Sequence, residues 1–64
     1  MSDVREDIKE IDARIAAVRV NIRELVEQAA GRSGAADEEL LSQRIAEQEA
    51  QLVALTKRRV ALAG

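Results

Sequence analysis

The sequence contains no cysteine, histidine, proline or aromatic residue among its 64 positions. Without cysteine there can be no disulfide bond, and without cysteine or histidine the usual zinc and transition-metal ligand sets are missing. The same two absences remove the common thiol nucleophile and the common general base of enzymes. We therefore expect no metal, no cofactor and no catalytic activity.

Long hydrophobic runs are also missing. No stretch approaches the roughly 20 apolar residues that a membrane-spanning helix needs. The opening MSDVREDIKE is acidic and has no apolar core of the signal-peptide type. We expect no membrane contact and a cytoplasmic location. The formal net charge of -2 disfavours a general nucleic-acid binder, whose affinity comes largely from lysine and arginine.

A helical pattern is what the sequence does contain. Hydrophobic residues make up 47% and charged residues 34% of the chain, a balance typical of long helices and coiled coils. Asp3 is placed to cap a first helix, with Glu6 completing a capping box. Apolar residues then alternate at spacings of four and three, the heptad seam of a helix that packs on a neighbour: Val4, Ile8, Ile11, Ile15, Val18, Ile22, Leu25 and Ala29.

A glycine-containing stretch near the midpoint separates this helix from a second one. Gly31 is a candidate left-handed residue at the end of the first helix. Asp37 is the expected N-cap of the second helix, and Ser33 is a competing one. The second seam has two polar members: Leu41, Ile45, Gln48, Leu52, Leu55, Arg59 and Leu62. The pattern predicts one domain, 1–64, with helices over about 3–30 and about 37–63 and a turn over about 31–36.

Two features favour an antiparallel hairpin. Reflection about residues 33–35 superposes the two seams. It also brings the acidic start of the chain close to Lys57, Arg58 and Arg59, and opposed charges help to select orientation. The alternative is one continuous helix in a long parallel coiled coil. Gly31 and Gly34 disfavour it, because a glycine inside a helix costs about 1 kcal/mol.

A hairpin of this size has a marginal core and leaves an open edge on each seam, so it needs a further partner. The sequence thus predicts an all-α antiparallel two-helix hairpin, coiled-coil-like, that dimerises into a four-helix bundle. The residues expected to carry association are Ile8, Ile11, Ile15, Val18, Ile22, Leu25, Leu41, Ile45, Gln48, Leu52, Leu55 and Leu62.

The polar seam residues and the small residues leave alternatives open. The amide of Gln48 either meets a two-fold partner or borders the core and reaches water, whereas the long stem of Arg59 is expected to reach solvent. Small residues form a second stripe on each helix. Either they contact further helices, or alanine occurs there only because it favours the helical conformation. These stripes are Ala13, Ala16, Ala17 and Val20, and Ala46, Ala50, Val53 and Val60.

The favoured function is a non-enzymatic protein-interaction module whose partner is a second copy or another helical protein. One alternative is a small dimeric RNA-binding protein that uses Lys57, Arg58 and Arg59. The three cations make a weak footprint, because acidic neighbours compete for them. The other alternative is a small adaptor subunit that folds within a larger complex.

Overall fold

Two antiparallel helices form a hairpin. The computed structural model describes residues 3–31 and 35–64, apart from the side chains of residues 35–37. Helix α1 is Val4–Gly31 and helix α2 is Ala35–Ala63. The longest dimension is 49 Å, whereas one continuous helix of this length would extend about 96 Å. The hairpin prediction is confirmed, and the continuous rod is wrong.

Helix α1 begins at the predicted cap. The Asp3 carboxylate accepts a hydrogen bond from the Arg5 amide at 2.9 Å, and the Asp3 carbonyl accepts one from the Asp7 amide at 3.0 Å. Glu6 does not complete a capping box within the described residues. Its carboxylate lies 3.9 Å from the Lys9 ammonium instead. One side chain, that of Asp3, therefore satisfies a free amide of the first turn.

The connection differs from the prediction at both of its ends. Gly31 is the last residue of α1 and has no left-handed backbone, so the predicted C-cap conformation is wrong. Helix α2 begins at Ala35, and Asp37 is its third residue rather than its N-cap. The competing cap, Ser33, lies outside the described residues, as does Gly34. Alanine is the best helix former, which accounts for an earlier start at Ala35 and Ala36.

The register of the hairpin is given by two side-chain pairs that join the helices. Arg59 bonds to Asp12, and the Asn21 amide donates to the Gln48 carbonyl oxygen at 3.5 Å. Both pairs have their sequence midpoint within one residue of position 35, close to the predicted fold point at 33–35. This register therefore defines, along the whole hairpin, which residues of α1 and α2 lie side by side.

The predicted seams form the contact between α1 and α2. The most buried side chains are Ile11, Ile15, Val18 and Leu41, each at most 9% exposed. The other seam residues from position 8 onwards are half-buried, including both polar members, Gln48 and Arg59. Val4 is the exception: it is 47% exposed at the first position of α1. The heptad pattern thus identifies the packed face of each helix.

Candidate association surface

The residues predicted to carry association lie first of all inside the hairpin. Ile11, Ile15, Val18 and Leu41 are buried against the opposite helix of the same chain. The remaining members keep part of their surface open to solvent: Ile8, Ile22, Leu25, Ile45, Gln48, Leu52, Leu55 and Leu62. The structure therefore brings all twelve together along one seam. A second molecule could reach only their open edges.

Gln48 has a partner in its own chain. Its side-chain oxygen accepts from the Asn21 amide at 3.5 Å, near the middle of the hairpin. A hydrogen bond of this length is weak, so the pair fixes register only loosely. Sequence reasoning missed Asn21, although its position next to the seam residue Ile22 placed it beside the opposite helix. Gln48 is half-buried, as a residue at the border of the core would be.

Arg59 binds Asp12 across the two helices. Its guanidinium donates to both carboxylate oxygens, through Nε to Oδ1 and at 3.5 Å through a terminal nitrogen to Oδ2. The hydrogen bond to Asp12 and the charge of Asp12 raise the pKa of Arg59, so the guanidinium stays charged. Both side chains remain partly exposed, at 42% and 49%. Arg59 does reach solvent, as expected, but its charged group is held by a specific partner.

The three cations considered for nucleic-acid contact do not share one surface. Arg59 is engaged by Asp12 within the seam. Arg58 lies in a depression that Asp7 and Glu10 also line. Lys57 is exposed, and helical geometry puts it on the back of α2, away from the seam. The cluster is compact in sequence, but it divides among three directions in space.

One side of the hairpin carries a groove with alternating bands, which we call the banded groove. Three depressions run along it, of about 90, 450 and 350 Å³ from the free ends towards the connection. In that order, the bands are acidic, basic, apolar, acidic and basic. The acidic band at the free ends is Asp7 and Glu10, and the basic band next to it is Arg14 and Arg58. The apolar band is Ala17, Val18, Ala54 and Leu55. The second acidic band is Glu24 and Glu47, and the second basic band is Arg44.

The bands arise because like charges lie at the same level on the two helices. By the hairpin register, Arg14 and Arg58 lie within about one turn of each other, and so do Glu24 and Glu47. The described ion pairs, Lys9 with Glu6 and Arg59 with Asp12, use none of these four residues. The four side chains therefore keep their charged groups available to whatever lies over the groove, although residues of opposite charge line the same depressions.

The opposite side of the hairpin carries exposed valines and alanines, and we call it the valine face. The heptad positions place seven exposed apolar residues there: Ala16, Val26, Ala30, Ala46, Val53, Val60 and Ala63. Val60 is 64% and Val53 is 53% exposed. The small-residue stripes of the sequence are thus divided, because Ala17 lines the banded groove together with Ala54, which the stripes had not included.

The class of the chain follows from its fold and its surfaces. In the described ranges, neither helix has a stretch long and apolar enough to cross a bilayer. Within the same ranges, no three acidic side chains are grouped so that they could hold a metal ion. The fold and its surfaces define an antiparallel helical hairpin of the coiled-coil type. Comparison with family models, curated proteins and solved structures finds no match for this chain.

Proposed function

We propose that the chain is a non-enzymatic helical-hairpin module whose work is association, with a second copy of itself as the first partner. The observation that carries the proposal is the exposed area. The chain has 5060 Å² of accessible surface. A compact monomer of 7.0 kDa has about 4,000 Å². The excess of about 1,000 Å² compares with the roughly 800 Å² per partner that a standard interface buries.

The state of the seam supports the same proposal. Among the described residues, four aliphatic side chains are buried, and the largest seam residues of α2 other than Leu41 stay half-open. When the remaining apolar surface of a half-open leucine or isoleucine leaves water, the complex is stabilised by about 25 cal/mol per Å² buried. A second hairpin laid along the first would cover these edges and form a four-helix bundle.

The absence of histidine and cysteine supports the non-enzymatic part of the proposal. A cytoplasmic location is proposed on the sequence argument alone. An adaptor that docks on another helical protein would use the same open edges, and circular dichroism distinguishes it. The isolated chain is largely unfolded if it folds only within a complex, and is helical if it dimerises by itself.

Size-exclusion chromatography with light scattering tests the proposal. Between about 5 and about 500 µM, we expect the mass to rise towards twice the 7.0 kDa of the chain. Ile15→Asp should abolish association or folding, because it places a carboxylate at the centre of the packed seam. A helical chain that stays at 7.0 kDa throughout this range would contradict the proposal.

The RNA-binding alternative has its own test. Gel-shift titration with single- and double-stranded RNA at low and moderate salt would show binding that weakens as salt rises, if the basic residues meet phosphates. The division of Lys57, Arg58 and Arg59 among three directions disfavours this alternative.

A further inference from the structure

We propose that the banded groove is the dimer interface, with the second copy related by a two-fold axis that lies between the two hairpins, perpendicular to the helices, at the level of Arg19. The inference rests on the proposed self-association and adds to it the face, the axis and the paired residues. In this arrangement α1 lies against α1 of the second copy in the opposite direction, and α2 lies against the other α2 in the same way.

The charge order of the groove carries the inference. On α1, Arg14 and Glu24 lie on either side of the apolar centre, about 15 Å apart along the helix. A two-fold axis midway between them, at residue 19, places Arg14 of each copy against Glu24 of the other. Opposite charges then meet twice on this pair of helices.

Helix α2 supplies an independent check on the position of the axis. Its basic and acidic band residues are Arg58 and Glu47, and their midpoint falls between residues 52 and 53. The hairpin register places that midpoint within about 4 Å, less than one helical turn, of the level of residue 19 on α1. One axis therefore satisfies both helices, and Val18 and Leu55 lie close to it.

The other symmetric arrangement meets repulsion. A two-fold axis parallel to the helices would bring each level of the groove onto the same level of the second copy. The basic band of Arg14 and Arg58 would then face itself, and so would the acidic band of Glu24 and Glu47. Like charges in contact are unfavourable and select against such a pairing.

The centre of the groove suits close approach of a second hairpin. Ala17 and Ala54 are small, and together with Gln51 they line the largest of the three depressions, of about 450 Å³, whose lining also includes Val18 and Leu55. With the perpendicular axis, Ala17 faces Asn21 of the second copy, so a small residue lies opposite an amide. The apolar area at this centre is part of the excess of exposed surface that a partner would cover.

The valine face is the competing surface, and it lacks this alternation. Its α1 half carries Arg5, Lys9, Arg19 and Arg23, with Asp12 already bound to Arg59. Two copies joined there with α1 against α1 would bring cations together. The other acidic residues of this face, Glu39 and Glu49, lie on α2, so its charges are divided between the two helices and do not alternate along them. Single exposed valines such as Val53 and Val60 are ordinary on protein surfaces.

A charge-reversal experiment in solution tests the interface. Arg14→Glu and Glu24→Arg are made separately, and sedimentation velocity measures the dissociation constant of each variant. Each change turns two attractive pairs of the homodimer into repulsive ones, so each should raise the dissociation constant by about tenfold at low salt. At about 1 M salt the two variants should approach the wild type.

Mixing the two variants is the decisive arm. In the mixed pair, positions 14 and 24 both carry carboxylates on the Arg14→Glu chain and both carry guanidinium groups on the Glu24→Arg chain. Each contact between these positions across the axis therefore joins opposite charges again. An equimolar mixture should form a heterodimer about as tightly as the wild type dimerises. A variant that had merely lost its fold could not recover in this way.

The control and the contrary outcomes separate this inference from the proposed function. Val53→Glu alters the valine face and should leave the wild-type dissociation constant unchanged. The groove assignment would be overturned, with self-association left in place, if neither charge reversal raised the dissociation constant or if Val53→Glu did raise it. A wild-type chain that is monomeric throughout would remove both proposals.

Discussion

Removing two methyl groups from a valine should destabilise the protein at position 18 and leave it almost unchanged at position 60. Val18 is 7% exposed and Val60 is 64% exposed. Both lie inside helices, so Val→Ala raises helix propensity by a similar amount, up to about 0.7 kcal/mol, at each site. The pair of variants therefore isolates the effect of burial.

The expected difference follows from the exposed fractions. Two methylene-sized groups are worth about 1.6 kcal/mol when fully buried. The difference in burial between the two sites accounts for about 0.9 kcal/mol of this, and a cavity at Val18 adds to it. We expect Val18→Ala to be less stable than Val60→Ala by about 1–2 kcal/mol, with Val60→Ala within about 0.5 kcal/mol of the wild type.

Thermal unfolding followed by circular dichroism measures this difference. For a domain of this size, 1 kcal/mol shifts Tm by about 4–8 °C, so the two variants should differ by roughly 5–15 °C. All samples need the same chain concentration, because association makes Tm concentration-dependent. Equal Tm values for the two variants would show that the seam is not the packed face, and would refute the heptad argument.

Three further changes probe the ends and the pairing of the helices. Asp3→Ala should lower the free energy of unfolding by about 0.5–2 kcal/mol and Asp3→Ser by less, because serine also caps; urea titration measures both. Gly31→Ala should stabilise the protein by about 0.5–1 kcal/mol in the same titration, because Gly31 is helical and a Cβ added there would meet open space. If Gly31 were left-handed, the same substitution would destabilise the protein. A double-mutant cycle on Asp12→Ala and Arg59→Ala should give a favourable coupling that weakens with salt. Raising the pH to about 10 should not remove this coupling, because Asp12 raises the already high pKa of Arg59 and the guanidinium stays charged; a coupling absent at low salt would refute the pair.

Heptad spacing was enough to predict the packed face of both helices. Every predicted seam residue from Ile8 to Ala29 in α1 and from Leu41 to Leu62 in α2 is at least half-buried. This succeeds because a stripe repeating every 3.5 residues has only one way to leave water in a two-helix structure. The prediction is wrong for Val4, which is exposed because it is the first residue of α1, where few neighbours surround a side chain.

Local backbone geometry and specific partners were harder to predict. Gly31 matches the composition of a C-cap, but glycine also tolerates the helix, and composition does not decide between the two. Opposed charges indicated that the acidic start lies near Lys57, Arg58 and Arg59, yet they did not single out Asp12 as the partner of Arg59. That choice depends on the register to within one residue, which the spacing of apolar residues does not define.

The banded groove could not be seen from either helix alone. Arg14 and Arg58, or Glu24 and Glu47, become bands only when the register brings them to the same level. Ala17 and Ala54 likewise belong together only in the folded hairpin. Sequence reasoning predicted that something covers the open seam, and the three-dimensional arrangement is the basis for proposing the banded groove as the covered face.

A distance between two copies tests most directly the claim that a second hairpin packs against the first in the opposite direction, about a two-fold axis perpendicular to the helices. A spin label at Glu6→Cys is the single reactive site, because the chain has no cysteine, and Glu6 is exposed near the start of α1. The perpendicular two-fold axis at residue 19 puts the two labels at opposite ends, about 40 Å apart or slightly more. Pulsed electron paramagnetic resonance should give that distance. A distance below about 25 Å, or no dipolar signal at concentrations where the chain is helical, would contradict the claim.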